Sequence, residues 1–395
     1  MRRVEALAAL THDPGSALLR EIQACTEPGP ADVSRWRRAA PTEMVAAAMD
    51  LASGRRSLRG RRHDWAELWV DREGAAQASD EASAAWKAAR LAGDQPLIDL
   101  CCGCGADLLA LRRVVPAARG MDLREDRTWM ASRNSGCTTI TADVEAWTPD
   151  VPVAHLDPAR RDESSGRRLH GWSDLTPGPA FVARMARELA GLAVKLGPGV
   201  DIPADERPDG SELAFLSRDG TLVQAVLLTG RAVRQPGFNT AVRLGEPMEV
   251  SGPPLWTASM GSRSWSTAPA WGRHIAEPDP SLERSGLLPQ VARTLGLQER
   301  AAGLGLCTRD APPEGHPAEA WFRWFEQVDV LPARLPHVAR RLRELGAGEV
   351  HVKVRGRAVD ADAWSRELRG TGPNELVVLA HRTTDGAEAV IARRR

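Results

Sequence analysis

Two short segments carry most of the chemistry in this chain. The first, DLCCGCGAD from Asp99 to Asp107, ends an apolar run and opens a helix with LLALRRV. Gly103 and Gly105 let a ligand approach the backbone closely, and the helix N-terminus that follows presents free amides. Leu108 stands where a dinucleotide fingerprint needs its third glycine, which disfavours a nicotinamide cofactor. Asp122 closes the next apolar run about twenty residues on, where a carboxylate accepts ribose hydroxyls, and Asp143 closes the third, where it can meet an adenine amino group. Strand-end aspartates also serve as helix caps in any α/β protein. The second segment, VAHLDPARR from Val153 to Arg161, runs an apolar stretch into Asp157 and Pro158 and then turns basic. Arg160, Arg161, Arg167 and Arg168 fall within nine residues. Guanidinium forks suit phosphate oxygens, although Asp162 and Glu163 intervene and a solvated basic loop has the same composition. Lys195 ends a further apolar run, LAVKL, where it can neutralise Asp157, touch a phosphate, or simply bury its stem.

These residues need a sheet to position them. Residues 1 to about 92 are Ala-rich with helical spacing, interrupted by HDWAELWVDREG, a short strand or turn. From about residue 94, LIDL, ARGMDL, TTITAD, VAHLD and LAVKL alternate with helix-compatible stretches, which predicts a mostly parallel α/β sheet of Rossmann type. ELAFLSRDGTLVQAVLLTG predicts an antiparallel edge hairpin turning at Asp219-Gly220. Residues 233–275 have weak periodicity and suit β structure or extended loop. PSLERSGLLPQVARTLGL predicts one helix, and the chain ends as helix, strand, helix and two strands. The expected organisation is a helical region at 1–92, a catalytic α/β domain at 93–232, a connecting β/loop region at 233–320, and a small α+β domain at 321–395.

Composition sets limits. The 395 residues suit two or three domains, and 43% hydrophobic with 26% charged residues is globular. No window of about eighteen residues is free of charge, and the first residues lack the apolar core of a signal peptide, so a soluble cytoplasmic protein is expected. Six cysteines, three of them in CCGC, make neither a disulfide framework nor a zinc ligand set, and no metal is expected. Fifty-two basic residues balance fifty-two acidic ones, leaving no global field that announces nucleic acid. Only Lys87, Lys195 and Lys353 are lysines, so each position merits a question.

The combination resembles class I S-adenosylmethionine-dependent methyltransferases over about residues 65 to 230. The resemblance implies S-adenosyl-L-methionine as cofactor. It places Asp99 and Gly103 to Gly105 beside the methionine and ribose, Asp122 on the ribose, and Asp143 with Val144 at the adenine, with Cys101, Asp107 and Leu123 completing the lining. WVDREGAAQASDEAS resembles a segment of trimethylguanosine synthase-like enzymes, which sets Gln77 and Ser79 over the methionine end; a plain N-cap at Ser79 or Asp80 is the alternative. Methyltransferases acting on nucleobase amino groups carry Asp/Asn-Pro-Pro and an aromatic residue at the fourth strand. By that likeness Asp157 and the Pro158 carbonyl orient an acceptor amine. Here Ala159 replaces the second proline and Arg160 the aromatic, so the stacking platform falls to Trp172 or to the Arg160 guanidinium.

DLCCGCGADLLAL, LDPARR, EPDPSLERSGL and VKVRGRAVDADAWSREL together resemble a bacterial methyltransferase family with a C-terminal THUMP-like domain. THUMP domains in related enzymes bind RNA, so the resemblance implies RNA, either tRNA or rRNA, as partner, and methylation of a base nitrogen. From residue 330 onward thirteen basic side chains face eight acidic ones. His351, Lys353, Arg355 and Arg357 alternate along HVKVRGR, so one strand face can follow a phosphate backbone, or be a charged edge that keeps the strand soluble. The expected substrate contacts are Arg161, Arg168, Trp172, Lys195, Lys353 and Arg355. A small-molecule or protein methyltransferase, and an RNA-binding protein with a degenerate catalytic site, are the competing expectations.

Overall fold

The structure is a computed structural model, and it describes all residues except 160–170, 247, 254–266, 302 and 384–385. Helices α1 (Arg3–Ala9), α2 (Gly15–Ala24), α3 (Pro30–Ala39) and α4 (Thr42–Leu58) open the chain. Leu7, Ile22, Trp36 and Leu51 from these helices share one buried cluster with Cys104 and Met130. The helical region therefore packs directly behind the glycine loop. HDWAELWV forms turns and extended chain without a strand, and DREG caps and opens the next helix. Next come α5 (Arg72–Gln77) and α6 (Glu81–Leu91), whose first turns are capped by the Asp71 and Asp80 carboxylates accepting from the Gly74 and Ser83 amides.

The α/β alternation follows as β1 (Leu97–Leu100), α7 (Ala106–Val114), β2 (Arg119–Asp122), α8 (Glu125–Ser135), β3 (Thr139–Thr141), β4 (Val153–Leu156), α9 (Pro179–Glu188), β5 (Gly191–Leu196), β6 (Glu212–Arg218) and β7 (Thr221–Gly230). These strands lie in the order β3-β2-β1-β4-β5-β7-β6. Strands β1 to β5 pair in parallel and β7 runs antiparallel to β5. Every residue of β1, β4 and β5 is buried, as a sheet covered on both faces requires. Chain direction across the sheet reverses between β1 and β4, which opens a crevice at the carboxyl ends of those two strands. Asp219 and Gly220 both adopt positive φ, 53° and 75°, the mirror-image turn that matches the twist of a two-residue hairpin. A buried ion pair, Arg90 to Glu212 at 2.5 Å, ties α6 to β6.

The chain divides into two compact units. The first holds Met1–Leu216, Val223–Phe238 and Leu244–Glu246; the second holds Ser217–Leu222, Asn239–Arg243 and Pro247–Arg395. In the second, β8 (Asn239–Leu244) and β9 (Met248–Gly252) form an antiparallel pair. They precede β10 (His274–Pro278), α10 (Pro280–Arg284), α11 (Leu288–Thr294), β11 (Gln298–Glu299), β12 (Cys307–Arg309), β13 (Phe322–Pro332), α12 (Leu335–Glu344), β14 (Ala347–Arg355), α13 (Ala361–Glu367), β15 (Asn374–Thr383) and β16 (Gly386–Arg394). The sheet order is β11-β12-β10-β13-β16-β15-β14, so β10 to β12, upstream of residue 321, belong to the same sheet as the C-terminal strands. Helices α12 and α13 cover one face through Val338, Leu342, Trp364 and Leu368. The single helix expected over PSLERSGLLPQVARTLGL is two. Gly286 takes φ 77° and Pro289 sits in the first turn of α11, so the chain turns where an unbroken helix was anticipated.

Candidate active site

The loop from β1 to α7 is held by Asp122. One oxygen of that carboxylate accepts the Gly103 amide at 2.9 Å, and the other accepts the Arg124 amide at 3.0 Å. Cys101, Gly103 and Gly105 all take positive φ. The two glycines serve different needs. A Cβ on Gly105 would lie 2.8 Å from Ala131 Cα, because α8 backs the loop there. One on Gly103 would meet nothing within 4 Å, so the space above this glycine is open. Cys101 is half-buried, and burial, followed by Asp122 and Asp157, pushes its thiol well above the usual range, which makes it unreactive as a nucleophile.

Below the loop, Asp99 on β1 and His155 on β4 stand side by side in register and join at 2.7 Å between Oδ1 and Nδ1. Both are buried, and Oδ2 of Asp99 has no hydrogen-bond partner. Burial pushes the Asp99 carboxyl upward against the opposing pull of His155. At the ends of β2 and β3, Leu123 is 70% exposed although apolar, Val144 is buried, and the exposed Asp143 carboxylate caps a short turn by accepting the Glu145 amide.

Asp157 follows β4 directly, its amide donated to the Leu100 carbonyl at 3.1 Å. Pro158 is buried, and Ala159 bridges to Thr176, which fixes the chain beyond the carboxylate. Lys195 is the neighbour on β5, one residue past the paired Leu156 and Val194. Its Nζ donates to Asp157 Oδ2 at 2.7 Å and to the Gln77 carbonyl at 2.8 Å. Asp107, in the first turn of α7, lies 4.0 Å from the same ammonium. Lys87 of α6 pairs with Asp107 at 2.7 Å and donates to the Ser79 hydroxyl, which donates in turn to Asp107. Burial would push the Asp107 carboxyl up, but Lys87, His155 and Lys195 outweigh it and hold it below the usual carboxylate range.

The residues expected at the cofactor lie at the carboxyl ends of β1 to β3 and on the adjoining α5 and β1–α7 segments, and beside them stand two that the residue pattern did not disclose: His155, and Lys87, whose rarity as a lysine was the available signal. Of the two N-cap alternatives, Asp80 takes the cap and Ser79 joins the charged network. Arg160, Arg161, Arg167 and Arg168 lie outside the described residues. Trp172 is 4% exposed and donates its Nε1–H to Glu206 at 2.7 Å, so its ring is packed as core and is not offered as a stacking face. Lys195, 9% exposed at its side chain, has the Asp157 carboxylate and the Gln77 carbonyl among its partners.

In the second unit the expected basic strand face is already neutralised. Lys353 pairs with Glu277 at 2.6 Å, Arg355 with Glu283 at 2.9 Å, and His351 with Glu375 at 3.3 Å. Arg357 lies past the end of β14, in a turn at φ 52°, so the alternation stops at Arg355. Among the described residues no group of three or more His, Cys, Asp or Glu side chains is placed to hold a metal ion. No helix among them is long and apolar enough to cross a membrane.

Residues 322–394 match the family model described as THUMP domain-like. The chain is 31% identical over 333 residues to an S-adenosylmethionine-dependent methyltransferase of Mycobacterium tuberculosis, in both strain H37Rv and strain CDC 1551, spanning 81% of this chain and 86% of that protein. A crystal structure of a Porphyromonas gingivalis W83 protein described as a methyltransferase superposes with a TM-score of 0.73 over 96% of this chain and 97% of that one, at 18% identity. The last is a likeness of fold.

Proposed function

The chain belongs to the class I S-adenosylmethionine-dependent methyltransferases that carry a THUMP domain-like segment, and from that premise we propose that it methylates a base nitrogen of a structured RNA. The crevice fits the cofactor. Open space above Gly103, an orphaned buried oxygen on Asp99 and an exposed apolar Leu123 are what an amino-acid moiety, its ammonium and an adenine face would each complete. Gln77, Asp99, Cys101, Gly103, Gly105, Asp107, Asp122, Leu123, Asp143 and Val144 are assigned to hold or border it, Asp107 from beneath.

S-adenosylmethionine supplies a methyl carbon on a sulfonium, whose C–S bond breaks as the acceptor's N–C bond forms. The residues of this chain have only to aim the acceptor. Asp157 carries the proposal: one of its oxygens is tied to Lys195, its side chain is 24% exposed, and it stands at the mouth of β4 beside the open glycine loop. Oδ1 is left to accept an N–H of the acceptor amine, with the Pro158 carbonyl as the second acceptor. The nitrogen lone pair then faces the crevice, and the proton it sheds leaves through the partly exposed carboxylate to water.

Two features favour RNA over a small molecule. The THUMP-like segment is a fold that the related RNA enzymes use for capture. The outer face of α12 also exposes His337, Arg340 and Arg343, of which, among the described residues, only Arg340 has an ion-pair partner, Glu344 at 3.9 Å. Catalysis is assigned to 93–232 and RNA capture to 321–395, and such a substrate places the enzyme in the cytoplasm. The test incubates the protein and labelled S-adenosylmethionine with RNA, protein and metabolite fractions from a strain lacking the gene. Label is expected in one RNA size class, and Asp157→Ala should abolish it while leaving S-adenosylhomocysteine affinity within about threefold. Label confined to protein or metabolites would move the substrate to the other class of acceptor, and binding of the cofactor with no transfer to any fraction would leave RNA capture alone.

A further inference from the structure

We infer that Lys195 is a positioning residue whose single ammonium holds the acceptor carboxylate of Asp157 and the donor-side chain at Gln77 in fixed register. The inference rests on Asp157 being the acceptor site. An ammonium has three N–H donors. Asp157 Oδ2 and the Gln77 carbonyl accept from this ammonium, and Asp107 lies 4.0 Å from it.

The segment that Lys195 grips from the donor side, Asp71 to Asp80, is held along its length by cations. Asp71 accepts from Arg127 at 2.7 Å and from Arg3 at 2.6 Å. Arg61 takes the Ala75 and Ala78 carbonyls, and Arg62 reaches the Ser79 carbonyl at 3.5 Å. Lys87 takes the Ser79 hydroxyl. Gln77 lies in the middle of this strap, and its carbonyl is the point at which the strap meets β5.

In-line transfer depends on sub-ångström alignment of the acceptor against the donor, and residues that fix that alignment act on the rate of transfer more than on affinity. Asp157 reaches the acceptor side and the Gln77 strap flanks the methionine side. Lys195 touches both, and Asp107, held by Lys87, backs the ammonium. The arrangement makes Lys195 a spacer of fixed length between the two halves of the reaction.

The experiment compares wild type, Lys195→Met and Lys195→Gln, with Asp157→Asn as the reference background. Three quantities are read: S-adenosylhomocysteine affinity by calorimetry, hydrogen exchange of amides 75 to 80, and methyl transfer into whichever cell fraction accepts label from wild type. Positioning predicts that Lys195→Met keeps S-adenosylhomocysteine affinity within about threefold, speeds exchange of the strap and lowers saturated transfer by roughly 100-fold. Lys195→Gln keeps an NH2 group with N–H donors but loses the charge and the reach of the ammonium, so it should keep the strap protected yet still lose transfer, and it serves as the folded comparison if the methionine variant fails to fold. In the Asp157→Asn background the lysine substitution should cost little further transfer, because its partner is already altered. Normal transfer by both lysine variants, with Asp157→Ala inactive, would overturn the inference and leave the acceptor site standing. Normal transfer by Asp157→Ala would instead overturn the acceptor site itself.

Discussion

Lys87 and Asp107 form an ion pair of 2.7 Å in which neither side chain is more than 8% exposed. Burial pulls the Lys87 ammonium below the usual lysine range, and Asp107 pulls it back. Such a pair is costly to assemble and more costly to break from one side, since a lone buried charge stays behind. Asp107→Asn is expected to destabilise the first unit by roughly 3–5 kcal/mol, with Lys87→Met acting in the same direction. The double variant should recover most of that loss. Urea denaturation of the four proteins measures it, and additive single losses would show that the two side chains are not coupled.

Acid stability depends on the same carboxylate. The folded value of Asp107 is depressed, so its contribution is fully present above the unfolded carboxylate value of about 3.9 and is lost as pH falls toward the folded one. Asp99 has the opposite sign. Its folded value is raised by burial, so its contribution is present below the unfolded value and is lost as pH rises through the folded one. The two therefore act in adjoining ranges, Asp107 below the unfolded carboxylate value and Asp99 above it, so acidification below about pH 4 reads Asp107. The double variant Lys87→Met/Asp107→Asn removes the first and keeps the second, so its urea midpoint should fall less steeply on acidification than that of the wild type. An unchanged slope would show that Asp107 is not held low.

The two glycines of the loop should respond differently to alanine. At Gly105 both φ 80° and the backbone of Ala131 oppose a Cβ, so Gly105→Ala is expected to lower stability by more than the roughly 1 kcal/mol of a left-handed alanine. At Gly103 only the φ penalty applies to the fold, but the added methyl enters the open space where the cofactor is assigned. Gly103→Ala should therefore cost about 1 kcal/mol in stability and lower S-adenosylhomocysteine affinity by at least tenfold. Calorimetry and denaturation on both variants separate the two effects, and equal affinity losses with equal stability losses would contradict the assignment of the space.

Much of this organisation was legible in the residues because it follows from local rules. Short apolar runs alternating with helical stretches specify a parallel sheet, and Asp219-Gly220 specifies its turn. Strand ends then place Asp99, Asp122 and Asp157 on one edge. What could not be read was pairing at a distance. The Lys353–Glu277 and Arg355–Glu283 contacts join positions more than seventy residues apart, so the strand's cations looked available when they were not. Trp172 failed for a related reason: an isolated tryptophan in a polar segment gives no sign that its ring will be buried against its own domain. His155 was passed over as one residue of an apolar strand, although its place opposite Asp99 follows once β1 and β4 are known to be neighbours.

Those distant pairs also decide where RNA contacts should be sought. Reversing Arg355 would set two carboxylates against each other at Glu283, so weaker RNA binding by Arg355→Glu would follow from a disturbed fold as readily as from a lost contact. On α12, apolar Val338 and Leu342 are consumed by the core of the second unit, and the opposite face presents His337, Arg340 and Arg343 to solvent. The stretch from residue 337 to residue 343 spans about 9 Å of helix, enough to meet two successive phosphates. Arg340→Glu/Arg343→Glu changes no buried group. It should weaken binding of a structured RNA by roughly tenfold or more at moderate salt and reduce the slope of log affinity against log salt by about two. Lys353→Met should change that slope little, since its ammonium is already neutralised by Glu277. Fluorescence anisotropy with labelled transfer RNA, from 50 to 200 mM salt, measures both quantities. An unchanged slope in the α12 variant together with a reduced slope in Lys353→Met would return the RNA face to β14.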